Sequence, residues 1–345
     1  MNGHPDLLGT HTRGFVDPDE YQSAIHAGDD LYSLLGRGSF RAELTGIEIG
    51  RLTLQRGREV LPRLAASGMP PNRVGILGWP GDGRLPIVRG AQMLRGELMC
   101  LGPGMQSHHR TSGPNEFIAL TLDPTDLARA AIELTGNGLI VTSGKVLRPP
   151  GQFLARFFSV IHSAIRAVQA TPVILASPQA TAALEQALLQ PMILCMGQGE
   201  AQKESIPRGR RAIIAKRFEA TVDDNFDTPL LVPDLCRMIG VPGRTLRALC
   251  QEQLGMSPQR FLALRRLHLT RRALLWSDHR SMTVTDIVTS HGVWELGRFA
   301  VAYKSLFGES PSATLRRTPG RRDAEIPVSF GFKPNPHSSA VSLRI

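Results

Sequence analysis

"CQEQLGMSPQRFL" at Cys250–Leu262 and "YKSLFGESPSATL" at Tyr303–Leu315 carry the same signals in the same order. Each sets an apolar residue before a glycine, then a Ser-Pro step, then a new helical pattern. Leu254-Gly255-Met256-Ser257-Pro258 recurs as Phe307-Gly308-Glu309-Ser310-Pro311, 53 positions on. Glycine tolerates the left-handed conformation that stops a helix, while serine caps and proline starts the next one. The correspondence extends backwards. Val232, Asp234 and Leu235 match Val284, Asp286 and Ile287 at an offset of 52, and Gly240 matches Gly292. Beyond that glycine the offset is 53: Leu246 pairs with Phe299, Cys250 with Tyr303, Leu254 with Phe307. The extra residue falls in the turn, where insertions are best tolerated. Each unit therefore reads as helix, glycine turn, helix: a helix-turn-helix, said twice.

The second helix of each unit has one apolar stripe. In the first copy Leu246, Leu249, Cys250 and Gln253/Leu254 face inward at helical spacing. The opposite stripe carries Arg244, Arg247, Ala248 and Gln251, with Thr245 beside it. Arginine and glutamine on a free helix face suit base edges and phosphates in a major groove. Matching the inward residues of the second copy leaves Gly297, Ala300, Val301 and Lys304 outward, with Leu296 at the leading end. That face has few hydrogen-bonding groups and suits methyl contacts, while Arg298 and Lys304 suit phosphate. Between the copies, Ser257-Pro258 opens a helix to about Trp276, with Phe261, Leu264, Leu267, Leu274 and Leu275 on its buried face. Its length of about 27 Å can hold two recognition helices roughly one DNA turn, about 34 Å, apart.

Charge agrees with this. The 345-residue chain has a net charge of +10. Between Ser205 and Thr318 there are 18 Lys and Arg against 10 Asp and Glu, a net of +8. Almost the whole excess lies around the duplication, the footprint of a nucleic-acid-binding domain.

From about Arg210 to Arg317 the pattern resembles the DNA-binding domain of AraC/XylS-type bacterial transcription regulators. It is carried by "DLCRMIGVPGRTLRALCQEQLGMSPQRFLALRRL", "RRALL" and "VTDIVTSHGVWELGRFAVAYKSLFGESPSATLRR". The resemblance covers about a third of the chain and rests on both units, the joining helix and both glycine-serine-proline stops. It implies an N-terminal effector or dimerisation domain, often β-rich, and transcriptional activation together with RNA polymerase. Pro242 stands where such families often place Ser, and cannot supply a side-chain cap. Val293 and Cys250 stand where Phe is usual, and Cys236 and Val288 where a small residue is.

Ahead of this region, residues 1–35 show no clear periodicity and read as a loosely ordered lead. From Phe40 to Leu122 short alternating or apolar runs, broken by Gly and Pro, predict a β-sheet or barrel. Helices follow: Asp123-Pro124 to Gly136, about Gln152–Gln169, and Ser177-Pro178 to about Leu189 before Pro191. The expected fold is α+β, a β-sheet or barrel-like domain with appended helices followed by an all-α domain. The expected division is residues 36–200 for effector sensing or dimerisation, 201–209 linker, 210–318 DNA binding and 319–345 mobile tail. Trp79 and His108 are candidate pocket residues.

Other chemistries fail on spacing. "GLIVTSGKV" at 138–146 sets its glycines one residue too far apart for a phosphate loop and lacks the Ser/Thr after Lys145. His108 and His109, as neighbours on a strand, face opposite ways and do not chelate together. Cys100, Cys195, Cys236 and Cys250 lack metal spacing, and Cys100 and Cys195 have neither a His nor a basic neighbour close in sequence. No catalytic residue, cofactor or metal is expected. The start has no secretory character and no apolar run reaches a membrane span, so a cytoplasmic protein is expected. The reading is thus a sequence-specific transcription regulator, an activator by resemblance, acting on a double-stranded DNA operator. A small-molecule effector and a homodimer are candidate partners. The rival in another class is a DNA-repair enzyme with a helix-turn-helix appendage.

Overall fold

The computed structural model describes residues 10–25, 32–201 apart from 82, 89, 140 and 142, 210–225 and 229–317. The expected linker after 201 and the tail from 318 lie outside the described residues. The N-terminal part is two packed antiparallel sheets. One has eight strands in the order β1 (Thr10–Phe15), β3 (Ala42–Ile49), β4 (Leu52–Glu59), β11 (Asn115–Leu122), β6 (Val74–Gly78), β9 (Leu98–Leu101), β12 (Val146–Arg148), β13 (Glu200–Ala201). The other runs β2 (Tyr32–Leu34), β5 (Arg63–Gly68), β10 (Gln106–Arg110), β7 (Ile87–Val88), β8 (Ala91–Gln92).

Register decides which side chains meet. Ile47, Leu54, Leu120, Ile76 and Cys100 are successive partners across four ladders, so they form one row on one face. That row packs under α2 (Pro124–Thr135), α3 (Gly151–Ala170) and α4 (Pro178–Gln198) in one core cluster. The alternate face, with Leu44, Phe117, Leu77 and Met99, packs in a second cluster with Tyr32, Ala65 and Val88 of the smaller sheet. Because the large sheet is covered on both faces, several of its strands read as continuous apolar runs instead of alternating ones.

Within the lead expected to be loose, the described residues form secondary structure. They supply β1, β2 and α1 (Pro18–Ala24), where Asp17 caps the helix and Pro18 starts it. Phe15 and Tyr21 are buried, and the Tyr21 hydroxyl donates to Glu59 Oε1 at 3.1 Å. Gly57 makes room for this: a Cβ there would lie 2.1 Å from the Phe117 ring and 2.7 Å from the Tyr21 hydroxyl. Helix α2 ends at Gly136 in the left-handed conformation, as its spacing predicts. Helix α4 does not stop before Pro191. It continues to Gln198, burying Met192, Ile193, Cys195 and Met196. An internal proline costs about 3 kcal/mol, and burial of these four side chains against the sheet offsets it.

The C-terminal part holds α5 (Arg210–Asp224), α6 (Val232–Ile239), α7 (Gly243–Leu254), α8 (Pro258–Trp276), α9 (Val284–Ser290), α10 (Leu296–Phe307) and α11 (Pro311–Leu315). It docks on the outer face of the smaller sheet. Ser33, Leu64 and Arg110 form one row there, and Leu64 joins the core of Phe218, Leu249, Leu254 and Phe261. Arg110 Nη1 donates to the Leu254 carbonyl at 3.3 Å. A Cβ on Gly255 would fall 1.5 Å from that nitrogen, so the stop of α7 is also a point of close approach.

Helix α8 is buried by more than its apolar face. Arg265, His268, Thr270 and Arg271 are all buried. Arg271 donates to Asp17 Oδ2, to Asp19 Oδ2 at 2.8 Å and to Glu309 Oε1 at 2.6 Å. Arg317 bridges Asp17 and Glu309 at 3.0 and 2.9 Å. His268 Nε2 accepts from the Leu34 N–H at 3.1 Å. Burial, helped by Arg272 and Arg271, lowers the His268 pKa from 6.5 to about 3. Burial with Arg63 and His108 does the same for His109, also to about 3.

Both histidines are therefore neutral in the fold and take up protons on unfolding. Their stabilisation is full above the ordinary value of 6.5 and is lost as pH falls towards about 3. The urea midpoint should drop between about pH 7 and about pH 5. His268→Gln should flatten that drop; an undiminished slope in this variant would show that His268 is not the responsible group.

Candidate nucleic-acid interface

Both units fold as the repeat predicts. Glycines with positive φ follow all four helices: Gly240 at +76°, Gly255 at +65°, Gly292 at +71° and Gly308 at +78°. The first helices start alike, because Asp234 and Asp286 each accept from a backbone N–H three residues back, of Leu231 and Thr283, at 3.2 and 3.0 Å. Ser257 and Ser310 cap the following helices through Arg260 N–H and Ala313 N–H at 3.3 and 3.2 Å. Pro242, at the head of α7, makes no side-chain cap. Leu246, Leu249, Cys250, Gln253 and Leu254 are all buried on α7, and Phe299, Tyr303 and Leu306 on α10. In the second unit the Tyr303 hydroxyl donates to Thr314 Oγ1 at 2.9 Å, which donates on to Glu309 at 2.9 Å.

The expected contact residues lie on the free faces. Arg244, Arg247, Ala248 and Gln251 of α7 are exposed, and Thr245 is half-buried. On α10 Leu296, Gly297, Arg298, Val301 and Lys304 are exposed, and Ala300 is half-buried. Arg298 pairs with Glu295 at 3.0 Å in open solvent. Such a pair is worth about 0–1 kcal/mol and leaves the guanidinium available. Arg244, Arg247 and Gln251 thus offer donors and acceptors one turn apart, whereas α10 offers hydrocarbon with cations at its flank. One exposed residue that the helical spacing had not singled out is Trp294, beside the start of α10.

The features named for other chemistries fall elsewhere. Trp79 is buried within the N-terminal part, and the histidine ring near it, at 6.4 Å between centroids, is that of His109 rather than His108. His109 partners Ala65 and Val88 across the ladders, which puts it in the interior row with Tyr32. Burial pushes the thiols of Cys100, Cys195 and Cys250 up to about 11, about 12 and about 12. These thiols stay protonated near neutrality and are poor nucleophiles. Among the described residues no group of His, Cys, Asp and Glu is placed to hold a metal ion. Among them, too, no helix is long and apolar enough to cross a membrane.

A family described as "Helix-turn-helix domain" matches residues 235–317. The chain is 42% identical over 93 residues to a probable thc operon regulatory protein of Rhodococcus erythropolis, covering 27% of this chain and 28% of that one. It is 31% identical over 102 residues to the XylDLEGF operon transcriptional activator 3 of Pseudomonas putida, covering 30% and 31%. The matched segment thus spans less than a third of the length of either relative. Among solved structures, the AraC-like transcriptional activator CuxR aligns over 81% of this chain and 99% of its own, at 15% identity and a TM-score of 0.39. Both units, their joining helix and their glycine stops lie within or border the matched residues, so the C-terminal part of this chain holds a helix-turn-helix domain.

Proposed function

We infer that the protein is a sequence-specific, DNA-binding transcription regulator of the cytoplasm and not an enzyme. Its N-terminal part, residues 36–200, would sense a small molecule or dimerise, and residues 210–318 would bind the operator. The observation that carries this reading is the duplicated unit in a basic segment, with both outward stripes exposed. One helix-turn-helix reads one groove; two on a rod of about 28 Å reach successive major grooves. Activation is supported by the named relatives, an operon regulatory protein and an operon transcriptional activator, and RNA polymerase is the partner that the resemblance implies. Support for a sensing role comes from the polar groups held in the N-terminal interior, among them Glu59, Arg63 and His109. The raised thiols give the repair-enzyme reading no cysteine nucleophile at Cys100, Cys195 or Cys250.

Genomic footprinting with the tagged protein tests the reading, and yields operator and regulated genes together. Protection with no shared sequence would overturn it. The two recognition helices should divide their labour. Arg247→Ala is expected to cost about 1–3 kcal/mol and relax preference at one or two base pairs. Arg298→Ala should weaken all sequences alike and reduce the salt slope by about one. Affinity for single-base operator variants at two salt concentrations separates them, and the reverse pattern would invert the assignment.

A further inference from the structure

The duplication isolates one residue that has no counterpart in the first copy. Both units share one closing bond of their first helix: Val241 N–H donates to the Cys236 carbonyl at 3.0 Å, and Val293 N–H to the Val288 carbonyl at 3.3 Å. These positions are 52 apart. The residues heading the second helices, Pro242 and Glu295, are 53 apart. The inserted residue is therefore Trp294.

Trp294 is 80% exposed and presents its ring to solvent beside the start of α10. It does not stand alone. Val301, on the outward stripe of α10, is 73% exposed, and Leu296, at its leading end, is 37% exposed. Apart from the indole N–H, these three side chains offer no hydrogen-bonding group, so the face cannot read a donor–acceptor pattern. The major-groove feature recognised by apolar contact is the C5-methyl of thymine. Exposed Arg298 and Lys304 flank the patch on a segment of net charge +8, which favours a polyanion over an apolar protein partner.

We propose that Trp294, with Leu296 and Val301, forms an apolar surface through which α10 contacts thymine methyl groups. Trp294 is then a specificity-determining residue that the first unit lacks. This rests on the DNA-binding reading.

The test uses the full chain and the footprinted operator duplex, with thymines under the second unit replaced by deoxyuridine, which deletes only the methyl. The wild type should bind the uracil duplex about 5-fold more weakly. Trp294→Ala should lose a similar factor on the thymine duplex and little on the uracil one, so that discrimination disappears. Trp294→Leu, which keeps an apolar group, should retain part of it. Unchanged affinity for both duplexes in Trp294→Ala overturns the proposal, even where transcription is lost, since that would place the indole against a protein. Equal losses on both duplexes overturn it too. A wild type that does not prefer its operator to unrelated DNA sinks the DNA-binding reading itself. Altered base preference in Arg247→Ala beside an inert Trp294→Ala sinks only the role of Trp294.

Discussion

Arg271→Ala should destabilise the protein by about 3–5 kcal/mol, the usual result of removing one partner from a buried ionic cluster. The side chain of Arg271 is 3% exposed and donates to three carboxylates, those of Asp17, Asp19 and Glu309. Its guanidinium also lies 4.9 Å from the Phe307 ring centroid. Without it three acids converge on Arg317, which is half exposed and reaches only two of them. Burial already pushes the Asp19 carboxyl up from its usual range, so part of the loss should appear as proton uptake by Asp19. The check is the urea midpoint of the variant, with Arg271→Lys alongside. Lysine keeps the charge but not the fork, and should recover only part of the loss. A change below about 1 kcal/mol in the alanine variant would mean that Arg317 alone satisfies the cluster.

A loss of similar size, about 3–5 kcal/mol, is expected for Glu59→Ala. The Glu59 side chain is fully buried, accepts from Arg63 Nε at 2.6 Å and accepts from the Tyr21 hydroxyl at 3.1 Å. Truncation strands the guanidinium of Arg63 among Tyr21, Tyr32 and neighbouring apolar groups, without a counter-charge. The double variant Glu59→Leu, Arg63→Met removes both charges and should regain most of the stability. Urea unfolding of the single and double variants decides the matter. A double variant as unstable as the single one would show that the pair's hydrogen bonds, and not its uncompensated charge, are what the fold requires.

What the sequence revealed and what it hid differ by the range of the causes. Asp123-Pro124, Ser177-Pro178 and Ser257-Pro258 mark helix starts because caps act on residues two or three positions away. The second recognition helix was placed by its offset from the first, a comparison internal to the chain. By contrast, the polar side of α8 is held by Asp17, some 250 positions away, and has no local signature, whereas the Asp17-Pro18 start of α1 was legible but lay in a stretch without periodicity. Pro191 misled for the same reason: its penalty is local, whereas the compensating burial is against the sheet. Trp294 escaped because it is the residue that breaks the offset.

The N-terminal part grips the two units at corresponding places. Arg110 meets the first at Leu254, beside its glycine stop, and Asp17 meets the second through Arg317 and, by way of Arg271, at Glu309, beside the other stop. Between these grips His268 of α8 accepts from the Leu34 N–H and Leu64 enters the core of the first unit, so the common rod is itself fastened to the smaller sheet and the spacing of the two readers is preserved. On a duplex that rises about 3.4 Å per base pair, preserved spacing is preserved register.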